Sequence, residues 1–189
     1  MGNNASYVST GKPKTTGGVY VAPKGTVVSD DPTSALDPEV FTHLGFVSED
    51  GLENTNDMET SEIKTWEGLV AYRSQNGFTD AFKFALLESE NINVLKTVYG
   101  ENNVTLTDNG DIKVKVGAGD PEEKVWVFEL SLRNGLAKRI VVHTGAVTSR
   151  EAITYNASDA IKYGLTVTAY ADSNGDTHYE YQEKEGASI

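Results

Sequence analysis

Two alternating apolar runs flank an Asn-Gly pair, and this arrangement constrains the fold more than any other feature of the chain. Over residues 124–132, Trp126, Phe128, Leu130 and Leu132 fall on one face of an extended strand. Arg133-Asn134-Gly135 follows, and a second apolar run covers residues 136–143. Asn-Gly supplies the positive φ angles of a tight turn, so an antiparallel hairpin is expected here rather than a parallel crossover unit. The alternation recurs at 79–87, with Phe82, Phe84 and Leu86 on one face and Ala81, Lys83 and Ala85 on the other. It recurs again at 161–170, where Ile161, Tyr163, Leu165, Val167 and Ala169 turn inward and Lys162, Thr166 and Thr168 outward. Further strands are expected at 19–21, 40–47, 63–74 (with Gly68 as a bulge or bend), 112–116, 147–155 and 178–181. Turns are expected at 108–111 and 172–176.

The period changes once. Ile92, Leu95 and Val98 recur at helical spacing, which predicts a single short helix over 90–99. Ser89 is positioned as its cap, Glu90 in the first turn, Lys96 in the last, and Gly100 as the stop. A chain of 189 residues with strands at short intervals and one helix fits a mainly β domain. The expected architecture is two packed antiparallel β-sheets, as a sandwich or open barrel, with one flanking α-helix and an extended N-terminal arm. The arm covers 1–38, where proline recurs at 13, 23, 32 and 38, and the β domain covers 39–189. Tyr7, Val8, Val19 and Tyr20 are more apolar than a linker needs, so the arm is expected to order on a partner.

Composition excludes several function classes. The chain has no cysteine, which rules out disulfides, thiolate metal sites and cysteine nucleophiles. Its 28 acids against 16 bases, a formal charge of -12, argue against tight binding of a phosphate backbone. No apolar run approaches the ~18 residues of a membrane span.

Motif by motif, catalytic chemistry also fails. Gly11-Lys12 runs into Pro13 and lacks the upstream glycine of a phosphate loop, and Gly117-Ala118-Gly119 lacks a third glycine. His43, His143 and His178 share no zinc-ligand spacing, and no Gly-x-Ser-x-Gly elbow is present. Asp172, Asn174, Asp176 and Glu183 occupy positions one, three, five and twelve of a calcium loop. Position six, which requires glycine, is Thr177, so a hairpin turn through Asn174-Gly175 is expected instead. Met1-Gly2 with Ser6 fits a loose myristoylation pattern without the basic cluster that would supply a second membrane signal. No catalytic, cofactor or metal site is expected, and no enzyme activity.

What remains is charge layout. Between residues 48 and 62 lie Glu49, Asp50, Glu53, Asp57, Glu59 and Glu62 with no base, an acidic loop in this reading. Between residues 130 and 150 lie Arg133, Lys138, Arg139 and Arg150 with no acid. Such segregation arises as a chance surface pattern, and it is also what a head-to-tail, self-complementary assembly uses, because opposite patches on one chain pair only between neighbours.

The order of motifs resembles the major tail tube protein of long-tailed, siphovirus-type bacteriophages. Lys12-x-Lys14 leads to Gly17-Gly18-Val19-Tyr20-Val21-Ala22-Pro23, then Gly45-Phe46-Val47-Ser48-Glu49-Asp50-Gly51-Leu52 and Ile63-Lys64-x-Trp66. Phe82-Lys83-Phe84-Ala85-Leu86-Leu87-Glu88, Val94-Leu95-Lys96-Thr97-Val98-Tyr99-Gly100, Lys138-Arg139-Ile140-Val141-Val142 and Ile153-Thr154-Tyr155 follow. The likeness runs from about Gly11 to Tyr181. It implies hexameric rings stacked into a hollow tube in the virion, assembled in the host cytoplasm and architecturally similar to type VI secretion tubes. It implies a tape-measure protein inside, tail terminator and distal tail proteins at the ends, and transient, non-sequence-specific passage of DNA. Some relatives append an immunoglobulin-like domain after the tube domain, and with so few residues following Tyr181 none is expected here.

Two readings from other classes stand beside it: a monomeric β-sandwich module that binds carbohydrate or a receptor, and an acidic glycosidase-like enzyme. Trp66 and Trp126 lie in strand patterns with apolar neighbours, which predicts core or interface rather than a sugar platform. Within the tube reading, an acidic, hydroxyl-rich lumen is expected, as is ordering of the arm and of residues 48–61 on ring stacking. The expected inter-ring contact sets Glu49, Asp50, Glu53, Asp57 and Glu59 of one subunit against Arg133, Lys138, Arg139 and Arg150 of a neighbour.

Overall fold

The computed structural model describes residues 3, 5–14 and 17–184. It is mainly β, with a large antiparallel sheet, a small second sheet and one helix. The strands are β1 (Gly11–Pro13), β2 (Val19–Pro23), β3 (Thr42–His43), β4 (Glu53–Lys64), β5 (Val70–Leu86), β6 (Val104–Leu106), β7 (Ile112–Val114), β8 (Lys124–Leu132), β9 (Ala137–Arg150), β10 (Tyr163–Ala169) and β11 (Tyr179–Gln182). The helix, α1 (Ile92–Tyr99), follows β5. Nine strands share one sheet in the order β3-β2-β8-β9-β10-β5-β4, with β1 beside β8 and β11 beside β9, while β6 and β7 form a separate hairpin.

The large sheet folds back on itself. β8 and β5 are three strand spacings apart, about 14 Å in a flat sheet. Yet the rings of Phe82 and Phe128 stack with centroids 5.1 Å apart, and Phe84 meets the edge of Trp126 at 6.0 Å. The two halves of the sheet therefore pack face to face around one core, closed on the open side by Val94, Leu95 and Val98 of α1 and Val104 of β6. A second, smaller core lies on the opposite face of β8 and β9. Val125, Val127 and Val141 there are covered by Val28 and Phe41 from the segment that follows β2. Strand β2 is thus a full member of the sheet, with Val19 and Val21 in the main core.

Local chemistry explains the elements that match expectation. Asn134 and Gly135 adopt φ of 75° and 79°, making the tight β8–β9 turn. Phe82, Phe84 and Leu86 are buried along β5, and Tyr163, Leu165, Val167 and Ala169 along β10. The helix keeps its predicted end, where the Gly100 N–H donates to the Lys96 carbonyl. Its start differs. Asn91 is the cap, its side chain accepting from the Asn93 N–H, and both Ser89 and Glu90 lie outside the helix.

Four expectations are corrected. The strand at 40–47 contracts to the two residues of β3, since the chain turns at Gly45, where φ is 73°. The acidic stretch is no loop, because β4 starts at Glu53 and pairs along its whole length with β5. The strand expected at 63–74 is interrupted by a hairpin turn. Gly68 sits in it at φ 83°, and the Thr65 N–H donates to the Leu69 carbonyl. Conversely, the runs at 136–143 and 147–155 are one strand, β9, which ends at Arg150. Gly145 does not break it. The Trp126 indole packs so closely there that a Cβ at 145 would lie 2.9 Å from Val142 Cγ1 and 3.2 Å from the ring. Trp126 Nε1 also donates to the Gly145 carbonyl at 3.0 Å.

Candidate assembly surface

Strands β4 and β5 make a hairpin that runs far beyond the core. At ~3.3 Å per residue the twelve residues of β4 span about 40 Å, and every one of them is exposed. Among the described residues no apolar face packs against this ribbon, and a two-stranded ribbon alone is marginal in water. The register assigns its two faces. Asn54 lies opposite Phe82, Asn56 opposite Asp80 and Met58 opposite Phe78, so these six continue the core side. Glu53 opposite Lys83, Thr55 opposite Ala81, Asp57 opposite Thr79 and Glu59 opposite Gly77 form the other side. Beyond a bulge at Glu59/Thr60 that second side continues with Ser61 opposite Ser74, then Ile63 opposite Tyr72.

The second face extends onto the body of the sheet. Thr166 and Thr168 of β10 lie beside Lys83 and Ala81, and the Thr168 hydroxyl contacts that of Thr148 on β9 at 2.8 Å. The result is one broad surface of carboxylates and hydroxyls with few cations. Lys83 is the main exception. The Glu151 carboxylate, 2.8 Å away, holds its pKa above the usual lysine value by hydrogen bond and charge.

At the far end of the hairpin the chemistry reverses. Trp66 is wholly exposed (101 %), and Leu69, Ile63, Tyr72 and Val70 beside it are largely exposed. Among the described residues nothing covers this apolar tip. The expectation that Trp66 lies in a strand is therefore corrected, whereas Trp126 is in the core as its pattern indicates.

The residues expected at the inter-ring contact divide sharply. Glu53, Asp57 and Glu59 share the acidic face of β4. Glu49 and Asp50 lie apart in the turn before it, where the Ser48 hydroxyl donates to Asp50 and Lys162 approaches at 3.7 Å. The bases do not form a strip. Lys138 and Arg139 are neighbours on β9 and so point to opposite faces. Lys138 pairs with Glu180 at 2.8 Å, and Arg150 lies over the Tyr99 ring at 5.6 Å. Arg133 is exposed in the β8–β9 turn. Arg139 is fully buried against Glu129 and leaves the set, because a guanidinium enclosed by its own chain cannot meet a neighbour.

Two features had no place in the sequence reading. One is the tip itself. The other is Asp80, a fully buried carboxylate at the hairpin base. Its signal was present, since it shares the strand parity of Phe82, Phe84 and Leu86. The three histidines are dispersed against different aromatic rings, His43 against Tyr20, His143 against Tyr179 and His178 against Phe82.

No curated protein sequence matches this chain. A family model does, over residues 1–188, and its description is phage tail tube protein. With nearly every residue inside that match and an antiparallel β fold carrying one helix, the chain belongs to the phage tail tube protein family.

Proposed function

We propose that this tail tube protein assembles as stacked hexameric rings in the tail of a long-tailed, siphovirus-type phage, and that the ring channel conducts DNA out of the capsid. The observation that carries the reading is the β4–β5 hairpin. It is a ribbon of about 40 Å with a bare apolar tip and an edge strand, a surface of the kind that another molecule covers, here a second copy of the chain. A tip that docks on a different surface of the next subunit is a heterologous contact, and such contacts generate rings and open stacks rather than closed dimers.

The acid and hydroxyl face of β4, β5 and β10 suits the channel wall. DNA is a polyanion, and a hydrated wall carrying Glu53, Asp57 and Glu59 repels it enough to prevent sticking. In this reading these acids face the lumen, and stacking is carried by the apolar tip rather than by an acid–base pairing. The lumen holds a tape-measure protein before ejection, terminator and distal proteins cap the ends, and assembly takes place in the host cytoplasm.

Electron microscopy of concentrated purified protein tests the proposal. Tubes or stacked rings with six-fold symmetry are expected, and a persistent monomer overturns it. The exposed Trp66 also favours a second reading, a binding module for carbohydrate. Saturable sugar affinity lost in Trp66→Ala, with no assembly at any concentration, would select that reading.

A further inference from the structure

Asp80 has no exposed side-chain surface, and no lysine or arginine pairs with it among the described residues. It marks the point where β5 leaves the core. Phe82, two residues inward, is fully buried, while Phe78, two residues outward, is 46 % exposed. Its carboxylate accepts from three side chains: Asn54 Nδ2 on β4 at 2.8 Å, the Thr177 hydroxyl at 2.6 Å and His178 Nδ1 at 2.5 Å. The His178 ring also stands edge-on to Phe82, with centroids 5.1 Å apart. Thr177 and His178 lead directly into β11, which is registered on β9 from Tyr179 opposite Val141. One buried carboxyl group therefore ties both strands of the hairpin to a segment anchored on β9.

From this geometry we infer that Asp80, Thr177 and His178 form a strut that sets the direction in which the hairpin projects. The inference rests on the preceding reading that the hairpin docks on a second copy. β4 has no buried residue to fix its angle to the body, so without the strut the ribbon swings about its base. A hairpin already aimed at its docking site loses less conformational freedom on binding, and the strut acts through that preorganisation. Polar fastening also suits the position. A buried carboxylate that loses its donors is left desolvated and unsatisfied, so the joint holds one geometry or opens.

The absence of native cysteines permits a direct test. Spin labels at Glu67→Cys on the tip and Asn93→Cys on α1 report the distribution of hairpin-to-body distances in the free subunit. Thr177→Val removes one donor while conserving shape, and Asp80→Asn turns one of the two accepting oxygens into a donor, so the Asn54 bond and the Thr177 and His178 bonds cannot all be kept. The expected result is a distance distribution at least about twice as wide in Thr177→Val, an unchanged melting temperature, and a critical concentration for tubes raised about tenfold. An unchanged distribution overturns the strut. So does global unfolding of Thr177→Val, because the joint would then be holding the core rather than the hairpin. Should Asp80→Asn fail to fold, Thr177→Val decides alone. If the wild type forms no tubes, the assembly reading fails while the distance measurement still judges the strut.

Discussion

Arg139 Nε donates to Glu129 Oε1 at 2.9 Å, and neither side chain is open to solvent. The guanidinium also donates to the carbonyls of Ser29 and Asp31, at 3.2 and 2.9 Å, and to the Ser34 hydroxyl at 3.1 Å. Lys14 approaches the other Glu129 oxygen at 3.2 Å. The pair on adjacent strands therefore fastens the segment after β2 across the second core. Removing one partner leaves the other buried and uncompensated, which costs about 3–5 kcal/mol. Arg139→Met is expected to lose stability in that range by urea unfolding. Arg139→Met with Glu129→Leu should recover part of the loss, since no fully buried charge is then left unpaired and only the partly exposed Lys14 loses its partner. A single variant within about 0.5 kcal/mol of wild type would show that the pair is not what holds the segment.

The distal hairpin is expected to matter to assembly and hardly at all to the subunit. Glu59 and Gly77 face each other in the ladder, so an Asn-Gly loop in place of residues 60–76 closes a shorter hairpin at a native pair. The removed ribbon buries almost nothing within the chain. Stability should stay within about 1 kcal/mol, while sedimentation and microscopy report loss of tubes. Trp66→Ser is the milder variant and is expected to raise the critical concentration. Normal tubes from the shortened protein would refute the stacking role.

The elements legible in sequence were those where one strand face is buried. Alternation at Phe82, Phe84 and Leu86 reports a core because solvent occupies the other side. β4 was not legible. Glu53 to Lys64 carries no apolar alternation, since neither face is buried, and β5 holds it by the backbone ladder and by polar side-chain bonds such as Asn54 to Asp80 and Arg73 to Glu62. Arg139 misled for a related reason. β8 and β9 are buried on both faces, so a charged residue among apolar neighbours is an internal pair there rather than part of a surface strip. Glu129, its partner, directly precedes the acid-free stretch 130–150. A charge reversal at Arg139 would consequently report on folding, not on assembly.

Tyr179 provides a spectroscopic prediction. Its hydroxyl donates to Asp172 at 2.6 Å and to Asp176 at 3.1 Å, and the bond to Asp172 is the main reason its pKa is pushed up to about 12. The same bond, foremost among several, holds the Asp172 carboxyl below its ordinary value. Because the folded state prefers the protonated phenol, its contribution is complete below the unfolded value of about 10 and is lost as pH rises toward 12. The Asp172 contribution has the opposite sign, present above about 3.9 and lost as pH falls through the lowered folded value. In tyrosinate absorbance titration, Tyr179→Phe should remove a late component. In unfolding curves it should flatten the decline at both extremes. A wild-type titration with no component above about 11 would contradict the bond.

The charge of the β4 face yields the most direct test of the channel. Glu53, Asp57 and Glu59 lie on one side of the strand, and no exposed base of β4 shares that side. If they line the lumen of a six-membered ring, Asp57→Lys with Glu59→Lys changes the wall by about four charges per subunit, repeated six times at each level. The apolar tip is untouched, so tubes should still form. The wall would then attract the phosphate backbone, with affinity falling steeply as salt rises, because binding a polyanion releases its condensed counterions. The expected outcome is normal tubes by microscopy, DNA retention by the variant tubes at low salt, and slowed ejection from phage carrying the change. Binding that leaves ejection unaffected would place these acids on the outside of the tube. Loss of tubes with the subunit still folded would instead return them to the ring-to-ring contact, and the salt series separates the two. Assembly rescued by raising ionic strength points to repulsion between subunits, since exposed charges are screened within about 8–10 Å near physiological salt. Assembly indifferent to salt, with DNA held in the lumen, leaves the wall as their place.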